Sequence, residues 1–154
     1  MTIRYVEGDI LTTNAEVLAH GVACGGMEDM GTGLAKSINQ TWPESFREFK
    51  KYRRSHGFKP GEIIVCENTM PSIAYLATQP DLYRAKLSFL RQALRNLRKY
   101  LEESGVKSCA IPKIGCGYGK LPWEDVEPII LEKFSDLNGL ELQIYSNYIP
   151  PASS

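Results

Sequence analysis

Charge of one sign is what this sequence most lacks: 18 lysines and arginines balance 18 aspartates and glutamates over 154 residues. A protein held to nucleic acid or membrane by bulk electrostatics needs a basic excess that releases counterions, so zero net charge excludes that class while leaving room for a local basic patch. Metal-binding residues are scarce too. Cys24, Cys66, Cys109 and Cys116 are widely spaced with no C-x-x-C pair, and the histidines, His20 and His56, are not grouped with them, so neither a metal nor a cofactor is expected. No apolar run approaches the roughly 18 to 20 residues of a membrane span, and MTIRYVEGDI lacks a signal peptide's apolar core. These absences predict a cytoplasmic or nucleocytoplasmic monomer with reduced thiols and no membrane partner.

What is present suffices for one core. A chain that is 43% hydrophobic and 23% charged is ordinary for a globular domain. At this length folding buries about 70% of the unfolded surface, so no staple is needed. A single domain over 1–149 is expected, with 150–154 a poorly ordered polar tail.

Periodicity divides that domain into alternating elements. Ile3–Val6 and Glu16–Gly21 read as strands, each closed by glycine. A helix is predicted from Gly33 and a second from Pro43, with Phe46, Phe49 and Tyr52 along one face. Glu62–Cys66 and Ser72–Ala77, separated by turn residues, predict a hairpin. Leu87, Leu90, Leu94, Leu97 and Leu101 form the stripe of a helix over Tyr83–Glu103, ended by Gly105, whose other faces carry Arg84, Arg91, Arg95, Arg98 and Lys99. Val106–Pro112 is a strand. A helix follows Pro122 with a stripe of Trp123, Val126, Ile129, Ile130 and Phe134, which Pro128 should kink or weaken, and Leu140–Ser146 closes the chain as a strand. Roughly six strands with four helices predict a three-layer α/β/α sandwich with a mixed central sheet.

Two glycine loops lead from strand to helix: residues 21–35, which include Cys24, Gly26, Asp29 and Met30-Gly31-Thr32-Gly33-Leu34-Ala35, and the Gly115-x-Gly117-x-Gly119 segment. Glycine there can serve only to reach positive φ. Two such loops on one sheet edge can also clamp a diphosphate with neutral backbone N–H donors. The spacing of Gly26 and Gly31 matches a P-loop, but Thr32 stands where its lysine is required. The second loop lacks the last glycine of a dinucleotide fingerprint and comes too late in the chain.

The set Val6-Glu7-Gly8-Asp9-Ile10, Leu18-Ala19-His20, Met30 to Ala35 and Ile111-Pro112-x-Ile114-Gly115-Cys116-Gly117 resembles the macro domain family, over about Thr2 to Tyr148. It is most similar to the branch of terminal ADP-ribose protein glycohydrolases and DNA ADP-ribosyl glycohydrolase antitoxins. The resemblance implies an ADP-ribose site. Asp9 would accept from the adenine amino group, although a turn-capping role also explains it, and the Ile10 backbone would help to hold the ring. Met30, Gly31, Thr32, Gly33, Leu34 and Ala35 would wrap the diphosphate, with Ile114, Gly115, Cys116, Gly117, Tyr118 and Gly119 closing the other side. Tyr145, Asn147 or Tyr148 would lie against adenine.

Catalysis is where the sequence departs from that branch. Its relatives carry a lysine after the strand-ending threonine and, in some members, an aspartate in the second loop; here the positions read Thr78-Gln79 and Tyr118-Gly119. Gln79 cannot act as an amine nucleophile, and Gly119 has no acid or base. His20 is the alternative titrating group and Asp29 the alternative acid to polarise water beside an oxocarbenium-like centre. The expected activity is removal of ADP-ribose from a glutamate or aspartate ester on protein or from a nucleic-acid base. The alternatives are a non-catalytic reader and a phosphatase on ADP-ribose 1''-phosphate. The expected partner is ADP-ribose or an ADP-ribosylated protein or nucleic acid.

Overall fold

The computed structural model describes residues 2–24, 33–80, 85–116 and 120–147. Its strands are β1 (Thr2–Glu7), β2 (Val17–Ala23), β3 (Ile63–Cys66), β4 (Ser72–Gln79), β5 (Ser108–Pro112) and β6 (Glu141–Asn147). The helices are α1 (Gly33–Thr41), α2 (Pro43–His56), α3 (Leu87–Ser104) and α4 (Trp123–Phe134), with one 3-10 turn at Ile10–Thr12. One sheet orders the strands β1-β6-β5-β2-β4-β3. Every pairing is parallel except the β3–β4 hairpin, so the sheet is mixed as expected.

Strands buried on both faces explain the architecture. Along β4, Ile73, Tyr75 and Ala77 point into one layer and Ala74 and Leu76 into the other, so helices must cover both sides. Leu90, Leu94, Leu97 and Leu101 of α3 join Val126, Ile129, Ile130 and Phe134 of α4 over one face. Ile10, Ile38 of α1 and Phe49 of α2 cover the other. The result is the three-layer sandwich. Among the described residues no helix is long and apolar enough to cross a membrane.

Local departures have physical causes. Gly21 does not end its strand: β2 continues to Ala23, because pairing with β4 runs on from Gly21↔Leu76 to Ala23↔Gln79. The helix expected from Tyr83 begins at Leu87, after an extended Lys86, and residues 81–84 lie outside the described part. Pro128 leaves α4 continuous over Trp123–Phe134; it is exposed, so the carbonyl robbed of its donor lies toward water while the buried stripe holds the helix to the sheet. Tyr52 leaves the apolar face that Phe49 occupies and is 45% exposed. The tail expected over 150–154 lies outside the described residues.

Candidate functional site

Five parallel strands end on one edge of the sheet, β1 at Glu7, β6 at Asn147, β5 at Pro112, β2 at Ala23 and β4 at Gln79. That carboxyl edge is where open α/β sheets hold ligands, because the chain leaves each strand there and presents unpaired backbone groups.

Asp9 begins the site. Gly8 leaves β1 at φ 146, and Asp9 then caps the 3-10 turn, its Oδ1 accepting from Leu11 N at 2.9 Å. The turn and cap reading of Asp9 is therefore satisfied, and the carboxylate is still exposed. Ile10 anchors the turn, its side chain fully buried against the α1 layer. Tyr145, paired in register with both Val6 and Pro112, is buried in the same layer, its hydroxyl 3.5 Å from Gln143 Oε1.

α1 opens at the same edge. Gly33, at φ 59, starts it, and Leu34 and Ala35 form its half-buried first turn. The first amides of a helix have no intrahelical acceptor and carry the positive end of its dipole. The second loop begins as a tight turn after β5. Ile114 N donates to Pro112 O at 2.9 Å and Cys116 N to Lys113 O at 3.2 Å. Gly115 sits at φ 80, the left-handed region that favours glycine, and a Cβ there would also press on Leu121 Cδ1 at 3.0 Å.

The floor is built by Gly21, Thr78 and Ile114. A Cβ on Gly21 would lie 2.7 Å from Thr78 Oγ1 and 3.2 Å from Ile114 Cγ2, so this glycine provides space between strands rather than a turn. Thr78 is fully buried, its Oγ1 has no hydrogen-bond partner among the described residues, and its carbonyl accepts from Lys86 N at 3.1 Å, fixing the entry to α3. Gln79 follows, buried to 7% exposure, its carbonyl accepting from Cys24 N at 3.0 Å. Alternation along β4 puts its side chain on the Tyr75 face.

His20 lies deeper than its expected place at a strand end. It sits within β2 at 1% exposure, edge-on to Tyr75 with ring centroids 5.0 Å apart. Burial lowers its pKa to about 3, so the ring is neutral near pH 7. Among the described residues neither ring nitrogen has a hydrogen-bond partner, and the same holds for the side-chain oxygen and nitrogen of the buried Asn39 on α1. Tyr75, by contrast, shares a 2.8 Å hydrogen bond with Ser45. The half-buried thiols of Cys24 and Cys116 are pushed up by burial, which keeps them protonated and inert.

The edge thus gathers Asp9, Ile10, Gly33, Leu34, Ala35, Thr78, Gln79, Ile114, Gly115, Cys116 and Tyr145. Asp29, Met30, Gly31, Thr32, Gly117, Tyr118, Gly119 and Tyr148 lie outside the described residues, as does the side chain of Asn147. Sequence reasoning missed Asn39, legible only as a polar residue beside Ile38, and read Gly21 as the start of the first glycine loop rather than as a spacer inside β2.

A family model described as Macro domain matches residues 19–130. The DNA ADP-ribosyl glycohydrolase of Mycobacterium tuberculosis is 30% identical over 148 residues, covering 93% of this chain and 42% of the relative. The chain therefore spans about two fifths of that relative's length. Among solved structures, the macrodomain of Mycobacterium tuberculosis DarG has a TM-score of 0.86 at 28% identity, covering 98% of this chain and 99% of its own. The macrodomain of Thermus aquaticus DarG also has a TM-score of 0.86, at 26% identity, covering 95% and 99%.

Proposed function

Because this chain belongs to the macro domain family, we propose that its strand-end cleft binds ADP-ribose and serves to remove it from a modified target, working as a cytoplasmic monomer. The observation that carries this reading is the convergence of the exposed Asp9 carboxylate, the open first turn of α1 and the Gly115 turn on one sheet edge. Asp9 accepts from the adenine amino group, with Tyr145 and Asn147 flanking the ring. Gly33 to Ala35, preceded by Met30 to Thr32, give neutral N–H donors to the diphosphate, which suits a chain with no net charge. Ile114 to Cys116, continued by Gly117 to Gly119, close over the distal ribose above Thr78. The similarity to a DNA ADP-ribosyl glycohydrolase favours a nucleic-acid base as the acceptor.

Chemistry on this reading rests on orientation and water rather than an amine nucleophile. Gln79 holds the distal ribose by hydrogen bonding, and Asp29 polarises the attacking water. A neutral His20 sealed beneath the cleft shapes the floor and does not shuttle the proton in this conformation. Gln79 in place of lysine is the observation favouring the second reading, a reader that binds without turnover.

Calorimetric titration with ADP-ribose, beside turnover of ADP-ribosylated DNA and of glutamate-ADP-ribosylated protein, tests both. Micromolar binding with turnover is the expected result. Binding without turnover makes the protein a reader, and no binding removes the site assignment.

A further inference from the structure

An asparagine side chain can react with the backbone that follows it, and its surroundings decide whether it does. The chain has six asparagines. Asn39 and Asn96 sit inside α1 and α3, where the helix fixes the backbone. Asn14 accepts from Gln143 Nε2 at 3.3 Å, Asn68 donates to Glu44 O at 3.1 Å and Asn96 to Gly61 O at 2.9 Å. Asn138 differs from all of these. It is exposed in the turn between α4 and β6, its side chain makes no hydrogen bond among the described residues, and it alone is followed by glycine.

Gly139 completes the reactive pair. It is exposed at φ 79, its N–H donates to no acceptor among the described residues, and a Cβ built on it meets nothing within 4 Å. The open space matters because a side chain on the following residue is what ordinarily shields the backbone nitrogen. Both residues line a hollow of about 310 Å³ with Arg98 and Lys107, so water reaches the turn. The neighbouring bonds lie outside the pair: Leu137 N donates to Phe134 O at 3.1 Å before it, and Glu141 N to Lys107 O at 2.8 Å after it. Asn138 and Gly139 thus form an untied link between a helix end and a strand start, the kind of segment that opens at little cost.

We propose that Asn138–Gly139 is a site of spontaneous covalent modification, a deamidation through a cyclic imide that leaves isoaspartate at the entry to β6. Base removes the Gly139 amide proton, and the nitrogen attacks Asn138 Cγ. The N–Cγ bond forms, the Cγ–Nδ2 bond breaks, and Nδ2 leaves as ammonia with a proton taken from water. Water then opens the imide. Addition at Cγ gives aspartate; addition at the Asn138 carbonyl carbon gives isoaspartate, in which the chain runs through Cβ and Cγ. The sum is an amide and a water giving a carboxylate and an ammonium ion, with no change of oxidation state.

The place of the turn gives the product a structural effect. Leu140 O accepts from Thr2 N at 3.0 Å and Glu141 N donates to Lys107 O, so β6 is held from both sides immediately after the turn. The isoaspartyl chain carries an extra backbone carbon ahead of those bonds, and its new carboxylate shares the hollow with Asp136. Leu142 and Ile144 of β6 are fully buried, so loosening the start of this strand lowers stability. The turn lies at the sheet edge opposite the cleft, and ADP-ribose affinity is independent of it.

Mass spectrometry of the full chain aged at pH 8, with fragment ions that read residue 138, tests the proposal. Residue 138 takes on the mass of an acid in place of an amide, faster at pH 9 than at pH 6, and the product accepts methyl groups from an isoaspartyl carboxyl methyltransferase. In the folded protein the rate stays within about tenfold of that in urea, because the turn opens cheaply. Asn138→Ser, changed only at an exposed position, abolishes the methyl acceptance. The isoaspartyl fraction, separated by its added charge, unfolds at lower urea than the Asn138→Asp variant, whose carboxylate comes without the extra backbone carbon. Deamidation in urea but not in the folded protein, equal methyl acceptance by Asn138→Ser, or earlier conversion of Asn68 each overturns the proposal. An isoaspartyl fraction that unfolds together with the Asn138→Asp variant overturns the effect on β6.

Discussion

The two faces of the sheet are built from different materials. Under α3 and α4 the buried layer is apolar, from Val17 and Leu76 to Phe134 and Ile144, apart from Thr78, which alternates with Ala74 and Leu76 along β4. Under the 3-10 turn, α1 and α2 it mixes Ile10, Leu18 and Phe49 with His20, Asn39, Ser45 and Gln143, all buried. An apolar layer only has to be dense, and it specifies a rigid scaffold. A buried polar layer costs stability wherever its groups lack partners, as both nitrogens of His20 and the amide of Asn39 do among the described residues. Proteins retain such groups chiefly at sites, and Asp9, the first turn of α1 and Gln79 all belong to this layer. The difference separates a half that chiefly holds the fold from a half that carries most of the candidate site, with Thr78, Ile114 and Cys116 the site's share of the apolar half.

The sharpest break of that contrast is a cavity in the scaffold half. Leu97 is fully buried at the centre of the α3 stripe, so Leu97→Ala costs about 2–5 kcal/mol in urea unfolding, with ADP-ribose affinity of the folded protein unchanged. Next in size is Gly21→Ala, whose added Cβ must displace Thr78 Oγ1 from 2.7 Å and costs about 1–3 kcal/mol. Adding Thr78→Ala removes both the clash and an unpartnered hydroxyl, so the double variant recovers much of that loss; strictly additive effects in the cycle rule the packing account out.

The scaffold half was also the more legible half. The leucine stripe of α3 and the apolar runs of β2, β4 and β5 follow from periodicity, because burial dictates residue type at each step. The hairpin was readable for the same reason, and the loops of the cleft from their glycines. What the sequence could not disclose was depth. His20 reads as a strand-end histidine until the pairing of Ala23 with Gln79 shows that β2 runs past it. Gly21 reads as a turn until Thr78 and Ile114 are seen against it, and a basic helix reads alike whether its cations are paired, as Arg91 and Arg98 are on α3, or carry no ion pair among the described residues, as Arg95 and Lys99 do on the same helix. Each of these depends on a partner distant in sequence.

The polar half has its own signature in pH. The folded pKa of His20, about 3, lies below the ordinary 6.5 because burial disfavours the charged ring. The unfolded chain therefore binds one more proton between these values. His20 imposes no penalty above about pH 6.5, and stability falls as pH drops below that, by about 1.4 kcal/mol per pH unit from this residue. His20→Leu removes that slope. Urea unfolding at pH 7, 6 and 5 isolates it as the difference between variant and parent, since carboxylates held low by ion pairs, such as Glu141 beside Arg4, contribute equally to both. Equal slopes would mean that the ring reaches water.

The smallest change in stability should accompany a large change in binding, and it distinguishes the two readings of Asp9. Asn caps as well as Asp, so Asp9→Asn keeps an oxygen for Leu11 N and leaves stability within about 0.5 kcal/mol. With that oxygen held by the cap, the second position of the side chain becomes an N–H donor. A donor facing the adenine amino group, itself a donor, replaces an attraction with a clash of like dipoles, so ADP-ribose affinity by calorimetry drops at least about tenfold. A carboxylate that merely caps a turn predicts no loss at all. Unchanged affinity in Asp9→Asn would leave the 3-10 turn as structure only and move the adenine elsewhere along the edge, toward Tyr145.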